Sequence, residues 1–177
     1  MKLVMGIPFI CLCLFIILGG CHSFSDEKSQ KTIGKGEEGF ITDLDDKRIL
    51  IKDTYYKVNN HTDIQDEEGN KLSYSDLMIG MKVKPWYQGE IENSFPSKAE
   101  AELIRVIQDE QSIEEQKAVT AALKHVTQAV SQRFMVLKII HFPAEHVYNI
   151  EMMNRSNLDS SFTVTVEDST EEILYIK

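Results

Sequence analysis

Short runs of apolar residues, separated by polar turns, occupy the middle of the chain. Phe40-Ile41-Thr42 and Ile49-Leu50-Ile51 flank a polar stretch from Asp43 to Arg48, which predicts a β-hairpin. Tyr55, Tyr56 and Val58 predict a third strand, and Asn59-Asn60 a loop. The segment "QDEEGNK" around Gly69-Asn70 reads as a turn, followed by a short helical piece over Ser73 to Met78 that Ser73 or Ser75 is placed to cap. "IGMKVKPWYQGEI" predicts a strand carrying Val83 and Trp86, a turn near Gly89, then Ile91. Ala99 to Ile107 carries two signals: Ala-Glu-Ala-Glu favours helix, whereas Leu103-Ile104-Arg105-Val106-Ile107 favours strand, and strand is the expectation.

After a charged break at 108–115 the period changes to that of a helix. Val119, Ala122, Leu123, Val126, Ala129 and Val130 fall on one face, and Ser112 with Glu115 has the spacing of a capping box. Alternation of period two then returns at Phe134 to Phe142, His146 to Met153, Phe162 to Val166 and Ile173 to Ile176. Five short strands with one helical piece before the fourth fit a Greek-key barrel of the OB type. The expected fold class is therefore α+β: a small OB-like β-barrel over residues 39–108, followed over 110–177 by a helix packed on a three- to four-stranded antiparallel sheet.

The N-terminus predicts location. From Leu3 to Gly20 no residue is charged, Lys2 precedes the run, and Gly19-Gly20 closes it, the layout of a secretory signal peptide over residues 1–20. Leu18-Gly19-Gly20-Cys21 resembles the lipobox of bacterial lipoproteins, in which the cysteine thiol takes a diacylglyceryl group and becomes the new N-terminus. Cys11 and Cys13 leave with the signal peptide, so the mature chain keeps no free thiol, disulfide or thiolate metal site. The expected membrane partner is thus S-diacylglycerol on Cys21, with or without an added N-acyl chain. Two such chains hold essentially permanently, since each buried methylene contributes about 0.8 kcal/mol. Residues 21–38, poor in large apolar side chains, are expected to be a flexible tether. The expected location is the extracytoplasmic face of the cell membrane.

With these segments in place, "GFITDLDDKRILI" and "DLMIGMKVKPWYQGEIENSFPSKAEAELI" resemble the YobA-like family of small lipoproteins from Gram-positive bacteria, a family defined as a domain of unknown function. The resemblance covers about residues 39–108, through Gly80-Met81-Lys82-Val83, Trp86, Gly89 and Ser94-Phe95-Pro96. It implies a compact β domain and an envelope location, and no activity. "EHVYNIEMMN" followed by "SSFTVTVEDSTEEILYIK" is similar to the end of PepSY-like and cystatin-like modules.

Charge narrows the partners. Cleavage removes one basic residue, Lys2, and none of the 28 acidic ones, so the formal charge moves from −9 to about −10. Such a surface disfavours nucleic acid, which needs clustered Lys and Arg, and disfavours docking flat on anionic lipid. The clusters "DLDDKR" and "DIQDEEGN" lack the spacing of a calcium loop, and the five histidines form no helical i, i+4 pair or His-Glu-x-x-His motif; His141 and His146 read as turn-exposed imidazoles. No cofactor or metal is expected. No nucleophile motif such as Gly-x-Ser-x-Gly occurs, and the chain is not expected to be an enzyme.

The aromatic residues Tyr55, Tyr56, Trp86, Tyr87 and Phe95 are the candidate ligand or partner contacts, because Tyr and Trp anchor both glycans and protein interfaces. Adjacent pairs on a strand point to opposite faces, so one of Tyr55-Tyr56 and one of Trp86-Tyr87 belongs to the core. The expected function is a non-enzymatic binding or accessory module meeting an envelope protein or a wall component. The alternatives are a regulator or inhibitor of an envelope peptidase acting through the C-terminal module, and a wall-glycan hydrolase.

Overall fold

A computed structural model describes residues 32–129 and 133–177. Cys21, the signal segment 1–20 and most of the expected tether lie outside the described residues. The chain from Lys31 to Lys177 forms one compact unit.

Its order is β1 (Ile33–Lys35), β2 (Gly39–Asp45), β3 (Arg48–Ile51), β4 (Thr54–Lys57), β5 (Asp63–Gln65), a 3-10 turn (Tyr74–Asp76), β6 (Lys82–Glu92), β7 (Ser97–Val106), α1 (Glu110–Ala129), β8 (Phe134–Phe142), β9 (Val147–Asn154), β10 (Asn157–Glu167) and β11 (Ile173–Ile176). The first seven strands form a mixed sheet in the order β1-β6-β2-β3-β4-β7-β5. An additional antiparallel pairing of β6 with β7 bends the sheet into a nearly closed ring of β6, β2, β3, β4 and β7. Strands β4 and β7 run parallel; the other neighbours around the ring are antiparallel. The last four strands form an antiparallel sheet, β11-β10-β9-β8.

Several boundaries differ from the sequence reading, each for a local reason. The β2–β3 hairpin turns in two residues, Asp46 and Lys47, both at positive φ, so the strands extend through Asp45 and from Arg48. Strand β6 does not turn at Gly89. That residue, at φ +73, lies in an irregular stretch of the β6–β7 pairing, and the reversal comes at Asn93–Pro96. Ile33–Lys35, inside the stretch expected to be tether, is an edge strand on β6, and Asp63–Gln65 adds a short parallel strand to β7. Ala99 to Val106 is strand, its alternate residues Ala99 and Ala101 joining the ring core.

The helix is capped differently from the expected capping box. Asp109 accepts a hydrogen bond from the Ser112 N–H at 2.6 Å, which holds the Asp109 carboxyl below the usual carboxylate range. Glu115 is instead buried, accepting from Lys82 Nζ at 2.9 Å and from Gln111 Nε2 at 2.7 Å, and so ties the helix to β6. Ala118, Val119, Ala122, Leu123 and Val126 pack on Val136, Ile150, Met152, Val164 and Val166 of the second sheet, and Phe40 of β2 joins this core. The ring has its own core around Ile41, Ile49, Ile51, Tyr56, Val83, Ile104 and Val106. A third, smaller cluster of Leu50, Tyr55 and Met135, with Leu137 and Met153 against it, joins the outside of the ring to the second sheet.

Candidate site: a buried tyrosine hub and a groove at the ring end

Strand alternation places the five candidate aromatics, and it separates them. On β4, Tyr56 points into the ring and Tyr55 points out. The outward residue does not meet solvent, because Met135 of β8 covers it and leaves Tyr55 7% exposed. On β6, Tyr87 packs on the ring core close to Gly34 of β1, where an added Cβ would collide with its ring. Trp86 faces outward, with Lys35 Nζ 5.9 Å and Arg105 Cζ 5.4 Å from its ring. Phe95 is at the tip of the β6–β7 hairpin, 49% exposed. The five do not line one groove.

Tyr55 is instead the centre of a polar hub. Its hydroxyl donates to Asp43 and accepts from Arg155 Nη1 at 2.8 Å and from Arg133 Nη1 at 3.1 Å. Arg133 also pairs with Asp43 at 2.9 Å. The guanidinium groups of Arg48 and Arg155 lie 5.3 Å and 5.0 Å from the Tyr55 ring. Arg133 and Arg155 come from the far side of the helix in sequence, so nothing local to β4 could have announced them. The open remainder of this face, around Arg48, Lys57, Lys98, Glu90, Glu92 and Glu100, is charge-paired, with Lys57–Glu100 at 3.4 Å and Lys98–Glu92 at 3.5 Å. It offers paired charges rather than a stack of aromatic rings.

A groove of about 490 Å³ opens at one end of the ring. Its walls are Lys35 to Glu37 after β1, Ile51 to Thr54 at the β3–β4 turn, Tyr56, Ile91 and Ser97 at the hairpin, and Leu137 of β8. Leu137 falls where the β8–β9 register shifts, and such a bulge re-aims a side chain. Lys52 and Glu37 pair across the mouth, and this pairing holds the Glu37 carboxyl below its ordinary range. The size suits a small ligand or the side chains of a bound segment.

Tyr56 forms the floor. Burial pushes its phenol up to about 12, from 10 in the unfolded chain, with weaker opposition from its hydrogen bond to Thr54. A raised folded value means that stability is fully present below pH 10 and is lost as pH rises towards 12. Alkaline unfolding followed by circular dichroism should therefore steepen between pH 10 and 12, and Tyr56→Phe should flatten that limb. An unchanged limb in the variant would show that Tyr56 is not the group responsible.

Among the described residues no group of three or more His, Cys, Asp or Glu side chains is placed to hold a metal ion. His141 and His146 nevertheless share a partner, Asp168, with ring nitrogens 3.1 Å and 3.7 Å from its Oδ2, and His141 stacks on Tyr148 at 4.2 Å. Among the described residues no helix is long and apolar enough to cross a membrane.

No curated protein and no solved structure matches the chain. A family model matches residues 38–108, from just before β2 to just before the Asp109 cap, so the match takes in the whole five-stranded ring and leaves out the helix and the second sheet. Residues 38–108 thus form a domain of the family described as Protein of unknown function (DUF3221).

Proposed function

We propose that this chain is a lipid-anchored, non-enzymatic binding module on the extracytoplasmic face of the cell membrane, and that the groove at the ring end is where it meets an envelope protein or a wall component. The observation that carries the reading is the composite wall of the groove: ring residues supply most of it and β8 supplies Leu137.

The ring is best read as OB type. Its order, β6-β2-β3-β4-β7 closing on itself with β4 and β7 parallel, is the connectivity of that barrel, and the 3-10 turn precedes its fourth strand. OB-type barrels commonly bind oligosaccharide or oligonucleotide on the face of their second and third strands, here β3 and β4. In this chain Leu50 and Tyr55 of those strands are covered by Met135, which favours a binding surface displaced to the groove.

A second reading, regulation of an envelope peptidase, is favoured by β8, the terminal strand of its sheet, on which Ile140 and Phe142 are exposed. Such an edge accepts an added strand from a partner. One experiment separates the two. A photo-crosslinking residue placed at Ser97 or at Ile140 in cells should give a discrete adduct from Ser97 that disappears when Leu137→Glu blocks the groove. Adducts from position 140 alone would transfer the function to the sheet edge, and Ser97 adducts indifferent to Leu137→Glu would remove the groove from consideration.

A further inference from the structure

We propose that the tip of the β6–β7 hairpin is a lipid-contacting wedge, whose Phe95 reaches the interface of the membrane that holds the anchor while the groove mouth beside it stays open. The proposal rests on the reading of Cys21 as the lipidated residue.

Chain direction is the first ground. β1 runs antiparallel to β6, with Ile33 opposite Gln88, and the Thr32 carbonyl accepts a hydrogen bond from the Gly89 N–H at 2.8 Å. Traced back from Ile33 to Thr32, the chain therefore advances along β6 towards Glu92 and the hairpin tip. The strand that receives the anchoring segment delivers it at the same end as the tip. Only the eleven residues from Cys21 to Lys31 separate an acylated cysteine from this point, a reach of at most about 38 Å even fully extended.

The second ground is what stands at that end. Phe95 at the tip is 49% exposed, Ile91 is 37% exposed, and Ile33 on the neighbouring strand is 58% exposed. Single exposed apolar residues need no explanation, but here Phe95 is the tip of the arm along which the anchoring segment leaves, with Ile91 and Ile33 exposed further back along it. The tip is also built rather than loose. Ser94 N–H donates to the Glu92 carbonyl at 2.8 Å, Ser94 Oγ donates to the Pro96 carbonyl at 2.8 Å, and Ser97 Oγ donates to the Ser94 carbonyl at 3.1 Å.

The third ground is charge. The flanking Glu92 and Lys98 pair with each other at 3.5 Å, so the two charges nearest to Phe95 in the hairpin cancel. An aromatic tip with aliphatic neighbours and hydroxyl-bearing serines matches the boundary between headgroups and acyl chains, where such side chains sit about 5–10 Å deep. The acidic body then stays clear of the surface while one end touches it.

The test uses the full lipidated chain in phosphatidylcholine vesicles containing a shallow nitroxide-labelled lipid. Because Cys21 is acylated and Cys11 and Cys13 leave with the signal peptide, Phe95→Cys supplies a single thiol for an environment-sensitive fluorophore. Ile33→Cys, opposite Gln88, reports the strand behind the tip, and Glu171→Cys, in the β10–β11 turn, is the control. Quenching at 95 about threefold or more above that at 171, with 33 between the two, is expected for a tip lying at interfacial depth. Quenching equal at all three positions, on chains that float with the vesicles, would overturn the wedge while leaving the anchor intact. Failure of the acylation-competent chain to float would overturn the anchor and the wedge with it.

Discussion

Gly80→Ala should lower the unfolding free energy by about 2–4 kcal/mol, more than any other glycine substitution in the ring, because two independent penalties meet there. Gly80 has φ +87, a region that L side chains rarely adopt. Its N–H also donates to the Ile41 carbonyl at 2.8 Å, so the backbone cannot rotate away without breaking the link to β2. An added Cβ would collide with the Thr120 hydroxyl and lie 2.9 Å from the Gln116 carbonyl on α1. A side chain such as Thr120 can swing aside, but a helix carbonyl cannot. Gly89→Ala is the matched control: its φ is +73 and nothing lies within 4 Å of the new Cβ, so it should cost only the conformational part, about 1 kcal/mol. Urea unfolding of both variants measures the difference. Equal losses would mean that the helix does not press on Gly80 as closely as the structure has it.

Tyr55→Ala should be comparably severe, at about 3–5 kcal/mol, since it empties a buried aromatic site between the ring and the second sheet. The more informative variant is Tyr55→Phe. It keeps the ring, the packing on Leu50 and Met135, and the contacts with Arg48 and Arg155, and removes only the hydroxyl. That hydroxyl serves three charged partners at once, Asp43, Arg133 and Arg155, so its loss strips one hydrogen bond from each, two of which, Asp43 and Arg155, are largely covered. About 1–3 kcal/mol should be lost, the usual cost of leaving such groups short of a partner. Adding Arg155→Ala to Tyr55→Phe should then cost less than the sum of the two separate changes, because the Tyr55–Arg155 bond has already gone. Full additivity in that cycle, or a Tyr55→Phe variant as stable as the parent, would show that the hub is an arrangement of neighbours without energetic coupling.

The two predictions fall on residues that the sequence presents very differently. Gly80 lies in "IGMKV", where a glycine between apolar runs already signals a special backbone, and the family resemblance runs through it. Nothing near it in the chain indicates that the obstacle is Gln116, 36 positions away. Tyr55 reads as one half of an alternating pair, one member of which belongs to the core, and the fold puts Tyr56 inside the ring and Tyr55 outside it. Alternation cannot say what waits outside. A strand's period is a property of its own backbone, whereas solvent exposure depends on whatever other element arrives, and here β8 arrives from 80 residues downstream.

The same distinction runs through the elements. The amphipathic helix and the four alternating strands after it were legible because each signal lies within one stretch of chain, as were the strands of the ring. Short edge strands were not: Ile33–Lys35 and Asp63–Gln65 carry too few apolar residues to signal themselves, and exist because β6 and β7 offer unpaired backbone beside them. The helix cap moved from Ser112 to Asp109 because Lys82, from the ring, draws Glu115 away.

From its residues alone the chain shows an uncharged run from Leu3 to Gly20 that ends at Cys21, an acidic composition without a nucleophile motif, and an α+β order of elements, since each of these is written in neighbouring positions. Closure of the ring through β6 and β7, the covering of Tyr55, the groove that borrows Leu137 and the course of the chain entry along β6 towards the hairpin arise only on folding. All four depend on contacts between segments far apart in the chain, and contacts of that kind leave no local pattern to read.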